Sequence, residues 1–187
     1  MRDAAQILGA TIVLALAVKT LILDAVHVPS GSMENTLLVG DFVLVNKFVY
    51  GSRTPFFRLP GFGRPARGDV IVFYAPDRTP GELYVKRLAG LPGDTVMFRG
   101  GDLFVNGSEV APPSAAKPSS APAPDFGPVV VPRDRFFALG DNREGSLDSR
   151  SWGCVPFGSI VGRAMMVYWS VDAGRGIRWA RPGTLVR

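Results

Sequence analysis

Two serines one residue apart, Ser30 and Ser32, sit in Pro29-Ser30-Gly31-Ser32-Met33, directly after an apolar N-terminal segment. A hydroxyl in a turn of small residues is a candidate nucleophile, but serine attacks only when a base removes its proton. The one histidine, His27, precedes Ser32 by five residues at the end of the apolar segment, an awkward position for the base of a Ser-His-Asp arrangement. The other base that can be neutralised at workable pH is lysine. Of the four, Lys19 lies in the apolar segment, Lys117 in a Pro/Ala/Ser tract, and Lys47 in a stretch with no evident catalytic neighbour. Lys86 remains, in Tyr84-Val85-Lys86-Arg87-Leu88.

A free lysine, with a pKa of about 10.4, is neutral in roughly one molecule in 2,500 at pH 7, so a lysine base must be desolvated. Lowering the pKa to about 7 costs about 5 kcal/mol of charged-form stabilisation. Tyr84, Val85 and Leu88 supply apolar surroundings. By its own residues alone the segment fits equally well a strand from which Lys86 carries its ammonium to water.

The elements that must position these groups begin with the apolar segment. Eighteen residues from Gln6 to Leu23 would span roughly 27 Å as a helix, close to the thickness of a hydrocarbon core. Residues 1–26 are expected to form a membrane anchor, with Lys19 reaching the headgroups and Asp24 and His27 at the interface. A removable signal peptide is the alternative, with Arg2 as its charged start and Ala15-Leu16-Ala17 as its cleavage site. That site lies inside the apolar run with no polar region before it, which favours an uncleaved anchor.

Residues 27–187 are expected to form one mostly β domain. Asp41–Tyr50, Val70–Tyr74, Leu83–Leu88, Thr95–Phe98, Leu103–Val105, Phe136–Leu139 and Ala164–Trp169 read as strands rich in Val and aromatics, punctuated by Gly, Pro and Asn. Asn106-Gly107 suits a tight hairpin. The tract 111–128 cannot bury enough apolar surface to offset its ordering and reads as an exposed insertion loop. Ser52–Pro65 mixes phenylalanines with arginines, as either a lipid-dipping loop or a cover for the core.

Several classes are set aside. The single cysteine, Cys154, can form neither an internal disulfide nor a zinc site. Net charge +5 and a pI near 9.8 suit nucleic acid or an anionic membrane. The basic residues are nevertheless spread along the chain, without zinc-finger, heptad or RNA-binding patterns, and no nucleic-acid partner is expected. Ser114-Ala115-Ala116-Lys117 satisfies an S-x-x-K pattern, but Pro112, Pro113 and Pro118 crowd it in a low-complexity tract where no buried helix can open.

Together, PSGSM at 29–33, GDFVLVNKFVYG at 40–51, RGDVIVF at 67–73, YVKRLAGLPGD at 84–94 and GDNREGSLDSRSWG at 140–153 closely resemble the type I signal peptidases, in that family's order. The resemblance implies a folded β-sheet catalytic domain on the extracytoplasmic side of the cell membrane, here behind the single transmembrane helix read from the apolar segment. It implies that Ser32 is the nucleophile and Lys86 the general base, that the Ser30 hydroxyl joins the Ser32 backbone N–H in the oxyanion hole, and that Ser146 orients the lysine amine. Asp148 and Arg150 match a supporting ion pair, Asp141, Asn142 and Arg143 match the turn holding that block, and Met33 matches a methionine near the substrate, where packing is an equal role. Tyr84 belongs to the same lysine block.

The implied substrates are preprotein signal peptides with small residues at the first and third positions before the cut, bound as an extended strand. The implied partners are these peptides and membrane lipid, with no metal or organic cofactor. Unlike well-known relatives, the chain offers one anchor, no cysteine pair and a Pro/Ala/Ser insertion. The competing reading is a catalytically inactive, membrane-anchored β-domain that binds partners; it predicts loss of the catalytic side chains, whereas Ser32, Lys86, Ser146 and Asp148 are all present.

Overall fold

A computed structural model describes residues 2–51, 61–74, 76, 81–113 and 124–187. The chain opens with helix α1 (Arg2–Leu21) and turns at once into strand β1 (Leu23–His27), which pairs antiparallel with β2 (Asp41–Asn46). The helical segment therefore ends earlier than the sequence suggests. Residues 23–26, assigned above to the anchor, belong to the sheet, because Val26 packs with Val43 and Val45 in a shared core. Ile7, Leu8, Ile12, Val13 and Leu16 of α1 are exposed. Among the described residues no helix is long and apolar enough to cross a membrane, so the fold leaves the expected transmembrane span unestablished.

The remaining strands are β3 (Val70–Tyr74), β4 (Leu83–Gly90), β5 (Thr95–Arg99), β6 (Asp102–Val105), β7 (Ser108–Val110), β8 (Phe126–Val130), β9 (Arg135–Leu139), β10 (Val155–Pro156), β11 (Ile160–Asp172) and β12 (Gly176–Ile177). They form two antiparallel sheets. The larger runs β1-β2-β11-β3-β4-β9-β10 with β12 beside β11, and the smaller runs β7-β6-β5-β8.

The apolar run of β3 follows from burial on both faces of the larger sheet. Val70 and Val72 join Met33, Leu37, Val43, Val45, Val85 and Val167 on one side, while Ile71 and Phe73 meet Leu88, Phe136 and Ala138 on the other. The same alternation in β9 sends Phe137 and Leu139 to a third cluster with Val96, Phe98, Leu103 and Val105, which binds the small sheet to the large one. Asn106 and Gly107 both adopt positive φ, 54° and 80°, and close the β6–β7 hairpin as their pairing of residues requires.

Three further boundaries differ from the sequence reading by more than two residues. Strand β2 stops at Asn46 because the Asn46 carboxamide accepts the N–H groups of Phe48 and Val49, turning the chain. Lys47 thus lies just past the strand, 3.3 Å from Asp24. Residues 126–128, assigned to the insertion loop, open β8, where Val129 and Val130 pair with β5 and draw Phe126 against Phe98. Strand β11 is longer than expected, since it changes partner along its length, pairing with β3 near Ile160 and with β2 from Arg163. Ser114, Lys117 and residues 52–60 lie outside the described residues.

Candidate active site

The serine turn is a single turn of 3-10 helix, Gly31–Met33, lying between β1 and β2. Met33 anchors it by complete burial in the core, and the Leu37 N–H donates to the Met33 carbonyl at 2.8 Å. Ser32 is held nearly buried, at 7% exposure. Strand β4 presents Lys86 to it: Lys86 Nζ lies 2.6 Å from Ser32 Oγ, and Ser30 Oγ lies 3.4 Å from the same oxygen.

Lys86 is 3% exposed and has no carboxylate in hydrogen-bonding contact among the described residues. Its ammonium lies 5.4 Å from the centroid of the Tyr84 ring, two residues back on the same face of the strand. Burial pushes the Lys86 pKa down from 10.5 to about 8, against the opposing fields of Asp148 and Asp141, which favour the charged form. At that value about one molecule in ten carries a neutral amine at pH 7, a few-hundred-fold gain over a free lysine.

The loop 140–150 fixes the turn from behind. The Asn142 backbone N–H donates to the Ser32 carbonyl at 3.1 Å, and its side-chain amide donates to the Gly31 carbonyl at 3.0 Å. Its neighbour Asp141 is fully buried and accepts from Arg87 Nε and Nη2, at 2.8 and 2.7 Å, and from Thr36 Oγ1 at 2.6 Å. Asp148, also fully buried, accepts two N–H groups of the Arg150 guanidinium at 2.9 Å each and the Gly140 N–H at 3.1 Å. Arg150 in turn donates to the Arg143 carbonyl at 2.6 Å, and both guanidiniums lie over Phe98. Gly140 is required by close approach: an added Cβ would stand 2.2 Å from Ser146 Oγ and 2.5 Å from the Ser32 carbonyl oxygen.

Ser146 lies against Gly140, behind the serine turn. Its hydroxyl is buried and makes no hydrogen bond among the described residues. The close packing of Gly140 against it keeps it beside the serine turn, while the bond that fixes the lysine amine is the one to Ser32. His27 is exposed on β1 with its ring against Phe42, 4.9 Å between centroids. Among the described residues no group of three His, Cys, Asp or Glu side chains is placed to hold a metal ion.

Four participants escaped the sequence reading. Arg87 and Thr36 hold Asp141, Ser149 Oγ accepts the buried Ala138 N–H, and the Trp152 ring lies parallel to that of Tyr84, 6.4 Å away. Only Arg87 carried a local signal, since the residue after an inward-facing lysine on a strand must face the other way.

The arrangement opens onto a cleft of about 260 Å³ lined by Val28, Ser30, Ser32, Met33, Tyr84 and Lys86, with Glu82, Leu83 and Leu147 towards its rim. Beside it, Leu83–Lys86 pairs with β3 along one edge, whereas β9 takes up the other edge only from Arg87 onward.

The family model described as signal peptidase, peptidase S26, matches residues 1–169. The chain is 37% identical over 178 residues to a signal peptidase I of Leptolyngbya laminosa, covering 92% of this chain and 81% of that protein. It is 36% identical over 195 residues to a signal peptidase I of Pseudomonas fluorescens, covering 84% of this chain and 68% of the relative. A crystal structure of a signal peptidase I from Enterococcus faecalis V583 is 35% identical, with a TM-score of 0.46, and the match covers 54% of this chain and 96% of that one.

Proposed function

The chain belongs to the signal peptidase I family, peptidase S26, and is a serine endopeptidase; from that premise we propose that it removes N-terminal signal peptides from exported preproteins through a Ser32/Lys86 dyad. The observation that carries this reading is the 2.6 Å separation of a buried lysine amine and a buried serine hydroxyl.

In the proposed reaction, neutral Lys86 takes the Ser32 proton as Oγ attacks the scissile carbonyl. The Ser30 hydroxyl and the Ser32 backbone N–H stabilise the oxyanion. As the C–N bond breaks, the Lys86 ammonium returns the proton to the leaving amine, leaving an ester on Ser32. Lys86 then deprotonates a water that attacks the ester, and passes that proton back to Ser32 Oγ as the signal peptide leaves with a free carboxylate. Asp141, Asn142, Arg143, Asp148 and Arg150 hold the turn in place, with Ser146 as packing beneath it.

The substrate lies as an extended strand on the open edge of Leu83–Lys86, its main chain supplying hydrogen bonds and the cleft reading alternate side chains. Met33, Tyr84 and Leu147 leave room for small residues, in keeping with an A-x-A-like site. The exposed apolar side chains of α1, Ile7 at 68% and Val13 at 67% exposure among them, support its use as a single-pass membrane anchor in contact with lipid; cleavage of exported preproteins requires the catalytic domain on the extracytoplasmic side.

The test is cleavage of an A-x-A-bearing preprotein by the detergent-solubilised full chain, with products identified by mass spectrometry. Wild type is expected to cut after the small-residue site, and Ser32→Ala and Lys86→Arg to lose roughly 10²–10⁴-fold in rate or more. A folded wild type that never cuts would return the chain to the non-catalytic β-domain reading.

A further inference from the structure

Tyr84 and Lys86 share one face of strand β4, and Glu82 stands in the residue directly before the strand begins. All three line the cleft, and Glu82 is the one carboxylate lining it among the described residues. Among the described residues the one cation lining it is Lys86, which sheds its charge in order to act. A working cleft therefore carries net negative charge at its Glu82 end, on a protein whose formal net charge is +5. Glu82 is exposed, so its charge is available to an incoming chain and costs little desolvation.

We propose that Glu82 is a specificity-determining residue that favours a lysine or arginine on the signal-peptide side of the cut, through an ion pair formed as the substrate strand docks along β4. The proposal rests on the peptidase function set out above. Glu82 stands four positions before Lys86, about 13 Å along an extended chain. A substrate strand laid beside them with its scissile carbonyl at Ser32 therefore brings roughly its fourth residue before the cut to Glu82. Leu147 lines the cleft with it and offers apolar surface to the stem of a long basic side chain while its charge reaches the carboxylate.

The experiment uses the detergent-solubilised full chain and synthetic peptides with one A-x-A site, carrying Lys, Gln or Glu in turn at each position upstream of it. The expected result is one position, close to the fourth, at which Lys exceeds Gln in kcat/KM by up to about fivefold and Glu falls below it, the range of an exposed ion pair. The effect should reside mainly in KM and shrink with added salt. Glu82→Gln should bring the Lys-to-Gln ratio close to one, and Glu82→Lys should invert it in favour of the Glu peptide. Both ratios are internal to each variant, so a general loss of activity does not mimic them. Peptides cut at charge-independent rates by wild type, or a Lys preference that survives in both variants, would overturn the role of Glu82 alone. A wild type that cuts none of the peptides would overturn the peptidase function and the specificity together.

Discussion

Lys86 and Arg87 are neighbours on β4, both cations and both nearly buried, yet the strand sends them to opposite faces and opposite fates. On one face Lys86 meets a serine hydroxyl and the ring of Tyr84. On the other, Arg87 meets both oxygens of Asp141 and the carbonyls of Gly68 and Arg187. Burial without a carboxylate in contact makes a lysine ready to lose its proton, whereas burial with a bidentate carboxylate ties an arginine into the fold. One residue of register thus separates a group suited to chemistry from a group suited to fixing the loop that positions the chemistry. The two faces are mechanically joined: Asp141, gripped by Arg87, is followed by Asn142, which holds the backbone of Ser32 and Gly31.

Breaking the Arg87 face should have the largest effect on stability. Asp141→Asn leaves a buried guanidinium without its countercharge, and a loss of about 3–5 kcal/mol is expected, measured by denaturant unfolding. Activity should fall with it, because Asn142 loses its fixed neighbour.

The Lys86 face should respond in the opposite direction. Its pKa is about 8 in the folded chain, below the ordinary 10.5, so at pH 7 the group is charged in the unfolded chain and penalised in the folded one. The unfolded state binds more protons between about pH 8 and 10.5, so stability rises with pH across that window. Lys86→Met should therefore stabilise the fold below pH 8, by up to about 3 kcal/mol, while abolishing cleavage. The gain should shrink as pH rises towards 10.5. Thermal unfolding followed across that range checks both the sign and the window.

The smallest effect is expected at Lys47, whose partner Asp24 is about a third exposed. Lys47→Met should change stability by less than about 1 kcal/mol, in keeping with a solvent-screened ion pair. A loss as large as that of Asp141→Asn would remove burial as the variable that distinguishes the two sites.

The strands that build the cores were legible because burial on alternating or on both faces writes Val, Ile and Phe into the chain, as in Val70–Phe73 and Phe136–Leu139. Strand β1 was not, because Leu23–His27 follows the apolar helix with only Ile22 between them and no Gly or Pro to mark the change. Strand β8 was hidden by Gly127-Pro128, which a strand at the end of the small sheet tolerates. At the site, the residue types of Ser32 and Lys86 pointed to their chemistry, and a resemblance over several blocks singled out their companions. Gly-Asp pairs recur at 40–41, 68–69, 93–94 and 140–141. Their carboxylates are buried and joined to Arg181, Arg163, Arg67 and Arg87. The arginine that Asp41 takes comes 140 residues later, a pairing that only the closed sheet can specify. Ser146 shows the converse, since a matched position did not bring its hydroxyl into a hydrogen bond with the lysine.

The central claim is that Lys86 is a buried amine poised to lose its proton beside Ser32. The most direct measurement is an NMR titration of lysine side chains in the full-length Ser32→Ala chain, with the Lys86 signal assigned by its loss in Lys86→Arg. Titration near pH 8 is the predicted result; titration of Lys86 at its ordinary value of 10.5 would contradict the account.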